Sequence, residues 1–209
     1  MVSAVVTAYI VDEEMEKMTY DCIDSFKGVD ELVVADDASP FDFKRELRTD
    51  VVKYARAPKN LGNAGIWNFG ISHTQGDIII LSDNDIVVGN WKEMIPFLEK
   101  YDIVFPVVYN ERTARDEEML AGMFFMFKRS LYDKIGPFDE TYGSYFEDTD
   151  WFKRVIDAGG KLGIGPGHVI HRSQGTFQKI WTEEKRQANF LRNKAIYESK
   201  YGPNYPYLS

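Results

Sequence analysis

The sequence predicts an α/β fold in which a mostly parallel central sheet carries antiparallel additions and is flanked by helices. Short runs of β-branched residues alternate with helical patterns through the first half of the chain, which is typical of βαβ units. Residues 78–82 form a continuous apolar run of the kind expected for a strand buried on both faces. The second half mixes strand and helix patterns less regularly, which predicts the antiparallel additions.

The chain has 209 residues, with 25 Lys and Arg against 33 Asp and Glu, for a formal net charge of −8. Its hydrophobic (44%) and charged (28%) fractions are close to globular averages, which argues against a disordered or fibrous chain. No apolar run approaches the roughly 20 residues that a membrane-spanning helix needs, and no signal-peptide pattern is visible. The single cysteine, Cys22, suits a reducing compartment. We therefore expect a soluble cytoplasmic domain with no integral membrane segment.

The first half predicts strand, helix, strand, strand, helix and strand in that order. The first helix, residues 12–26, is acidic. Asn60 is placed to cap the second helix, whose body covers about residues 64–74. Gly76 and Asp77 then break the chain before the apolar run. The predicted strands cover residues 3–10, 31–35, 51–55 and 78–82.

The second half predicts strands at residues 102–109 and 119–127 and a broken strand within residues 162–171. A helix at residues 129–135 ends at Gly136 and Pro137, and a helix at residues 146–158 ends at Gly159 and Gly160. A last helix covers residues 182–201.

Polar clusters follow three of the predicted strands, at the carboxyl ends where parallel sheets bind ligands. They are Thr7-Ala8-Tyr9, Asp36-Asp37 and Asp83-Asn84-Asp85. Two carboxylates as close as Asp83 and Asp85 repel each other unless a cation or a proton intervenes, and oxygen ligands suit Mg²⁺ or Mn²⁺. A plain turn is the alternative, because Asp and Asn favour turns.

An apolar strand followed by this acidic pattern also matches phosphatases of the haloacid dehalogenase type, in which Asp83 would attack phosphorus. In those enzymes the nucleophile strand usually lies near the start of the chain, whereas two βα units precede Asp83 here. A nucleotide-sugar pyrophosphorylase would need a glycine-rich basic loop near residue 10, where this chain is acidic and lacks glycine.

The sequence resembles a family 2 glycosyltransferase of the GT-A fold over about residues 3–173. The matching segments come in the family order. They are Val5-Val6-Thr7-Ala8-Tyr9, Val33-Val34-Ala35-Asp36-Asp37-Ala38-Ser39, Asn60-Leu61-Gly62-Asn63-Ala64-Gly65 through Asn68, Asp83-Asn84-Asp85, Phe146-Glu147-Asp148-Thr149-Asp150, and His171.

The resemblance implies a metal-dependent enzyme that transfers a sugar from a nucleotide diphosphate to a hydroxyl with inversion. The metal, Mn²⁺ or Mg²⁺, would be held by Asp83, Asp85 and His171, although a lone histidine at a strand end is commonly structural. Asp148 would be the general base, with Glu147 orienting the acceptor. Asp150 would point elsewhere, because neighbouring positions on a helix face different ways. Carboxylates at a helix start can alternatively serve only the helix dipole.

The resemblance also implies a donor site, in which Asp37 would accept a hydrogen bond from a uracil or thymine base and Asp36 would be structural. UDP- or dTDP-sugars are therefore favoured. Trp67 departs from the family pattern, which commonly has a small or basic residue there. The predicted donor-site residues are Thr7, Ala8, Tyr9, Asp37, Gly62, Asn63, Gly65, Asn68, Asp83 and Asn84.

One GT-A domain is expected over residues 1–209, with a nucleotide-sugar half (about 1–100), an acceptor half (about 101–175) and a C-terminal helix and tail (176–209). Residues 121–125 resemble the strand that faces the acceptor, with Gly122 leaving room for a sugar. The basic residues between positions 172 and 200 could face donor phosphates, an anionic membrane or a polyanionic acceptor, but a solvated face is favoured. A nucleic-acid acceptor is not favoured, and a catalytically inactive sugar-binding or nucleotide-binding module is the remaining alternative.

Overall fold

The computed structural model describes residues 1–41, 43, 50–172, 179–203 and 205. Residue 173, the last position of the family resemblance, and residues 206–209 of the predicted tail lie outside the described residues. In chain order the elements are β1 (Val2–Ala8), α1 (Glu13–Ser25), β2 (Glu31–Asp36), β3 (Val52–Arg56), α2 (Gly62–Ser72), β4 (Ile78–Asp83), β5 (Ile86–Val88), a 3₁₀ helix (Trp91–Glu99), β6 (Ile103–Asn110), β7 (Arg115–Glu118), β8 (Phe124–Lys128), α3 (Arg129–Ile135), α4 (Glu147–Asp157), β9 (Leu162–His171) and α5 (Glu183–Tyr201).

Nine strands in the described part form one sheet, in the order β3-β2-β1-β4-β8-β6-β9-β5, with β7 paired to β6. Strands β3, β2, β1 and β4 are parallel neighbours. All residues of β1 and β2 are buried, as their apolar runs predict. In this register Thr7 lies opposite both Ala35 and Asp83, so three strands end at the same edge of the sheet.

The sheet changes direction at β4, because β8 pairs with it antiparallel and places Phe124 opposite Ser82. The strand predicted at residues 119–127 begins only at Phe124. The residues before it instead form a turn, and the Asp83 N–H donates to the carbonyl of Met123 at 2.9 Å. The prediction of a mixed α/β sheet with antiparallel additions is confirmed, whereas the start of this strand is corrected.

Side chains alternate across β1 and feed two cores. Ala4 and Val6 pack on one face of the sheet with Cys22 and Ile23 of α1, and Val5 packs on the other face with α2 and α4. Cys22 is fully buried. The helices therefore cover both faces, which leaves the carboxyl edge of the parallel strands as the accessible end of the sheet.

Helix α2 begins differently from the prediction. It starts at Gly62, and the carboxylate of Asp37 accepts the backbone N–H groups of Leu61 (2.6 Å) and Gly62 (3.1 Å). Asn60 instead donates to the carbonyl of Asp37 at 3.4 Å. The carboxylate of Asp37, which follows β2, thus caps α2 in place of Asn60. A pattern of adjacent residues does not predict a cap that comes from another strand.

The helices in the described ranges contain no segment long and apolar enough to span a membrane.

Candidate active site

Asp83 lies at the end of β4 and is held from two directions. Its carboxylate accepts a long hydrogen bond from the Thr7 hydroxyl at 3.5 Å, and its N–H binds the turn before β8. Burial raises the pKa of Asp83 to about 8, and the negative charge of Asp85 adds to the effect. This residue therefore joins the parallel half of the sheet to the antiparallel half.

Asp85 faces His171, because the short strand β5 pairs with the end of β9. The Nε2 atom of His171 lies 3.4 Å from Oδ2 of Asp85, and that buried oxygen has no hydrogen-bond partner among the described residues. Burial would lower the pKa of His171, but the carboxylates of Asp85 and Asp83 outweigh it, so that the net pKa is raised.

A buried carboxylate oxygen without a hydrogen-bond donor beside an imidazole fits a divalent cation. Within the residues that the structure describes, however, no group of three His, Cys, Asp or Glu side chains is close enough to hold a metal. The structure brings Asp85 and His171 together with Asp83 nearby, and the predicted three-residue metal set stays a prediction. A cation here would need further ligands from water or a substrate, as Mg²⁺ commonly does.

The first cavity, of about 740 Å³, opens at this edge of the sheet. Eight of the ten predicted donor-site residues line it, namely Thr7, Ala8, Tyr9, Asp37, Gly62, Asn63, Asp83 and Asn84.

Asn68 is a correction to the prediction. Its amide nitrogen donates to the carbonyl of Phe138 (2.9 Å), and its oxygen accepts from Tyr132 (2.9 Å) and from the Phe138 N–H (2.9 Å). It therefore binds α2 to the segment after α3, away from the first cavity. Gly65 also does not line this cavity, and a Cβ added to it would stand 2.7 Å from the Cβ of Leu61, one helix turn earlier.

Asp36 and Asp37 have different hydrogen-bond partners, which gives them different roles. Asp36 is fully buried and accepts from Arg56 (2.7 Å) and the Ser39 N–H (2.8 Å), which is the predicted structural role. Asp37 lines the first cavity while it binds the start of α2. Burial raises the pKa of Asp37 to about 6, although the two N–H groups favour its charged form.

Several residues of the first cavity were not predicted from the sequence. Two are cations, Arg112 in the loop after β6 and Lys185 in α5, and Lys185 also lies 4.9 Å from the centre of the Trp181 ring. Lys185 belongs to the basic C-terminal stretch, and that basic composition was the sequence feature that could have indicated a role for it. Arg112 had no such signal, since its place depends on the non-local pairing of β6 and β9.

The second cavity, of about 590 Å³, contains the segment Glu147-Asp148-Thr149 at the start of α4. Asp148 accepts from the Gly122 N–H at 3.0 Å and from the Thr149 N–H at 2.6 Å. Burial raises the pKa of Asp148, and these donors only partly offset it. An ionisable carboxyl with a raised pKa, held in a cavity, is typical of a general base.

Gly122 is required by close packing. A Cβ at this position would lie 2.8 Å from the Trp67 ring and 3.0 Å from both Cβ and Oδ2 of Asp148. The missing side chain therefore makes room for Trp67 and Asp148, where the prediction had reserved the space for a sugar. Trp67 is buried and packs edge-on against Phe125 and Phe138, so it belongs to the core beneath the second cavity.

Glu147 and Asp150 have hydrogen-bond partners different from those of Asp148. Glu147 accepts from the amide of Asn63 at 2.9 Å, and its other oxygen is buried without a partner in the described chain. Asp150 is buried against α5, from which Tyr201 (2.9 Å) and Lys200 (3.2 Å) donate to it, and Arg154, one turn along α4, donates to it at 2.9 Å. Its role is thus structural.

The two cavities adjoin, because Asn63 and Asp83 line both of them. A ligand in the first cavity would reach the second one between these two side chains. This arrangement suits two substrates that react at their contact, with Asp148 on one side and the Asp85–His171 pair on the other.

Known structures share this fold. S. aureus TarS 1-349 in complex with UDP-GlcNAc superposes with a TM-score of 0.71 at 14% identity, covering 95% of this chain and 66% of that one. The mannosyltransferase PcManGT from Pyrobaculum calidifontis, in complex with GDP-Man and Mn²⁺, gives 0.68 at 16% identity, covering 95% and 64%. This chain thus spans slightly less than two thirds of either relative, and at these identities the likeness shows the fold, which confirms the GT-A prediction.

No curated protein matches the sequence. The profile of the family described as "Glycosyl transferase family 2" matches residues 3–155, which is more than half of the chain. The match contains every predicted motif except His171. The chain therefore belongs to glycosyl transferase family 2.

Proposed function

We propose that this protein transfers a sugar from a nucleotide diphosphate sugar to an acceptor hydroxyl, with inversion at the anomeric carbon. The observation that carries this proposal is the meeting of the two cavities at Asn63 and Asp83, with Asp148 in the second cavity. Family membership supports a transferase over a phosphohydrolase that uses Asp83 as nucleophile. Synthesis of a polysaccharide or glycoconjugate is the proposed context.

The first cavity is the proposed donor site. Arg112 and Lys185 supply positive charge for a diphosphate, and the carboxylate of Asp37 keeps a second lone pair on each oxygen for the N–H of a uracil or thymine base. The two structures similar in fold are complexes with UDP-GlcNAc in one case and with GDP-Man in the other. We favour a UDP- or dTDP-sugar on the strength of Asp37.

Asp85 and His171 would hold the metal, Mn²⁺ or Mg²⁺, through the unpartnered Oδ2 and the imidazole Nε2. A divalent cation supplies Lewis-acid stabilisation of negative charge on a departing diphosphate. The presence of Mn²⁺ in the PcManGT complex supports this assignment.

Asp148 is the proposed base. The Gly122 and Thr149 N–H groups fix its orientation, and it would accept the proton of the acceptor hydroxyl. As that oxygen bonds to the anomeric carbon from one face, the bond to the diphosphate oxygen breaks on the opposite face, which inverts the configuration. The free oxygen of Glu147 would orient the acceptor.

We propose that residues 1–209 act as one domain with the division of labour predicted from the sequence. A cytoplasmic location is proposed from Cys22, which is a buried free thiol.

The test is a panel of nucleotide sugars, each measured for thermal stabilisation with and without Mn²⁺ and then for turnover. Wild-type protein is expected to be stabilised by one nucleotide class and to hydrolyse or transfer its sugar. Asp148→Asn should keep the stabilisation and lose turnover, whereas the control Asp157→Asn, on the exposed side of the same helix, should keep both. Wild-type turnover in Asp148→Asn would refute the assigned base, and binding without turnover in the wild type would indicate an inactive binding module.

A further inference from the structure

Helix α5 contributes one fully buried polar side chain, Asn193, although the helix lies beyond the residues that the family profile matches. The amide nitrogen of Asn193 donates to three backbone carbonyls of one loop: Tyr142 at 2.7 Å, Ser144 at 2.6 Å and Tyr145 at 3.0 Å. An amide has two N–H groups, so these three acceptors share them.

The loop that Asn193 holds has an unfavourable backbone conformation. Tyr145 (φ 70°) and Phe146 (φ 72°) are both in the left-handed region, which bulky residues rarely adopt and glycine and asparagine adopt more readily. Glu147 and Asp148 follow immediately as the first residues of α4. The direction in which α4 starts, and therefore the position of the Asp148 carboxylate, depends on these two residues keeping their conformation.

The neighbours of Asn193 fix its amide in this orientation. Arg192 donates to the Asn193 oxygen at 2.8 Å, which leaves the nitrogen pointing at the loop. One helix turn earlier, on the same face, Asn189 donates to the carbonyl of Ser144 at 2.8 Å. The aromatic rings of Phe146 and Tyr197 pack against each other, 5.6 Å apart, in a buried cluster that also contains Tyr142.

We propose that Asn193 is a positioning residue for Asp148: its buried amide holds the left-handed loop of residues 142–146, so that the carboxylate stays fixed against Gly122. The proposal rests on the proposed function, because it assigns Asn193 to the turnover step. It makes α5 a part of the active site rather than the solvated face that its basic composition suggests.

Asn193→Ala removes the three loop contacts and replaces no residue that lines either cavity; of the residues it releases, Ser144 borders the first cavity and Tyr145 the second. We expect kcat to fall roughly 100-fold, the size of effect that a displacement of about 1 Å produces, while the donor KM changes far less, because Ser144 is the one residue of the three that lines the first cavity. A merely structural role would change both parameters or neither. The matched control is Tyr197→Phe, one turn later in the same buried face, which removes a hydroxyl that has no hydrogen-bond partner in the described residues. It should leave both parameters unchanged.

Rescue gives a sharper test. Glycine adopts the left-handed conformation without help, so Tyr145→Gly in the Asn193→Ala background should restore part of kcat, whatever it does to the acceptor KM. Amide hydrogen exchange without substrate provides a readout that does not depend on turnover: residues 143–149 should lose protection in Asn193→Ala and keep it in Tyr197→Phe.

Folded Asn193→Ala with wild-type kcat, or with a protected loop, would overturn the proposal. If Asn193→Ala does not fold, Asn189→Ala, which removes a single hydrogen bond to the same loop, replaces it. This variant should show a smaller loss of loop protection and a smaller loss of kcat. Wild-type protection or wild-type kcat in Asn189→Ala would then overturn the proposal. The proposed function fails in a different way, through a wild-type protein that has no turnover while its loop exchange still responds to Asn193→Ala.

Discussion

Replacing Gly122 with alanine adds one methyl group at the contact between the core and the proposed base. The new Cβ would lie 2.8 Å from the Trp67 ring and 3.0 Å from the Cβ and Oδ2 atoms of Asp148, closer than carbon atoms pack. The φ angle of Gly122 is outside the left-handed region, so the backbone itself accepts alanine.

The contact must be relieved by one of two neighbours. Trp67 is 2% exposed and is packed against Phe125 and Phe138, with ring centres at 6.0 and 5.0 Å, so it has little freedom to move. Asp148 borders a cavity and is the neighbour that can shift. We expect overpacking to destabilise the fold by about 1–3 kcal/mol and the displaced carboxylate to lower kcat roughly 100-fold.

Steady-state kinetics and urea denaturation measure the two effects separately. Gly165→Ala is the matched control, because its Cβ would also lie 2.8 Å from a buried side chain, that of Val104, but away from the proposed base. It should lose a similar amount of stability and keep its kcat. Wild-type kcat in folded Gly122→Ala, or an equal loss of kcat in Gly165→Ala, would refute the reasoning that the Gly122 contact positions Asp148.

Four further outcomes are expected. Asp150→Ala should lower the free energy of unfolding in urea by about 3–5 kcal/mol, because Tyr201, Lys200 and Arg154 lose a buried acceptor; a loss below about 1 kcal/mol would contradict this. The acid limb of kcat/KM should lie above the usual carboxyl range, because burial raises the pKa of Asp148 and the base must be ionised; a limb at the ordinary value of an exposed aspartate would count against the assignment. Thermal stabilisation by nucleotide sugar plus Mn²⁺ should lose its Mn²⁺-dependent part in Asp85→Ala and in His171→Ala, and an undiminished shift in both variants would exclude them as ligands. Burial raises the pKa of Asp37 to about 6, so the folded state binds more protons than the unfolded one between about pH 4 and 6. The free energy of unfolding should therefore fall as pH rises through that window. Asp37→Asn should remove this contribution to the pH dependence of the unfolding free energy measured in urea.

The parallel half of the fold could be predicted closely, because its signals are local. The apolar runs of β1, β2 and β4 and the acidic residues that follow them are continuous in sequence, and each boundary lies within two residues of its prediction. The short strands β5 and β7 were missed, because three or four residues carry no usable periodicity. Strand β5 depends on pairing with distant β9, and β7 is a charged segment that pairs with β6 across a short turn.

The candidate site also has a part that local sequence segments predict and a part that depends on contacts between distant residues. Asp83, Asp85, Asp148 and His171 follow recognisable segments, and the structure brings Asp85 beside His171 through a strand pair that the sequence does not reveal. The role of Asn68 was wrong, because a helix position near a ligand-binding loop can face either way and its partners come from residues 132–140. Asn193 was missed, because a single polar residue in a charged helix has no pattern of its own until its burial is known.

Asp83 belongs to both cavities and is tied by its side chain to β1 and by its backbone to the turn before β8. Because Asp83 lines both cavities, we expect a ligand bound in one cavity to change the affinity of the other cavity for its own ligand. Since linkage is reciprocal, the factor by which a bound donor changes acceptor affinity must equal the factor by which a bound acceptor changes donor affinity. Calorimetric titrations in both orders, with an inactive Asp148→Asn protein, would measure that single factor twice.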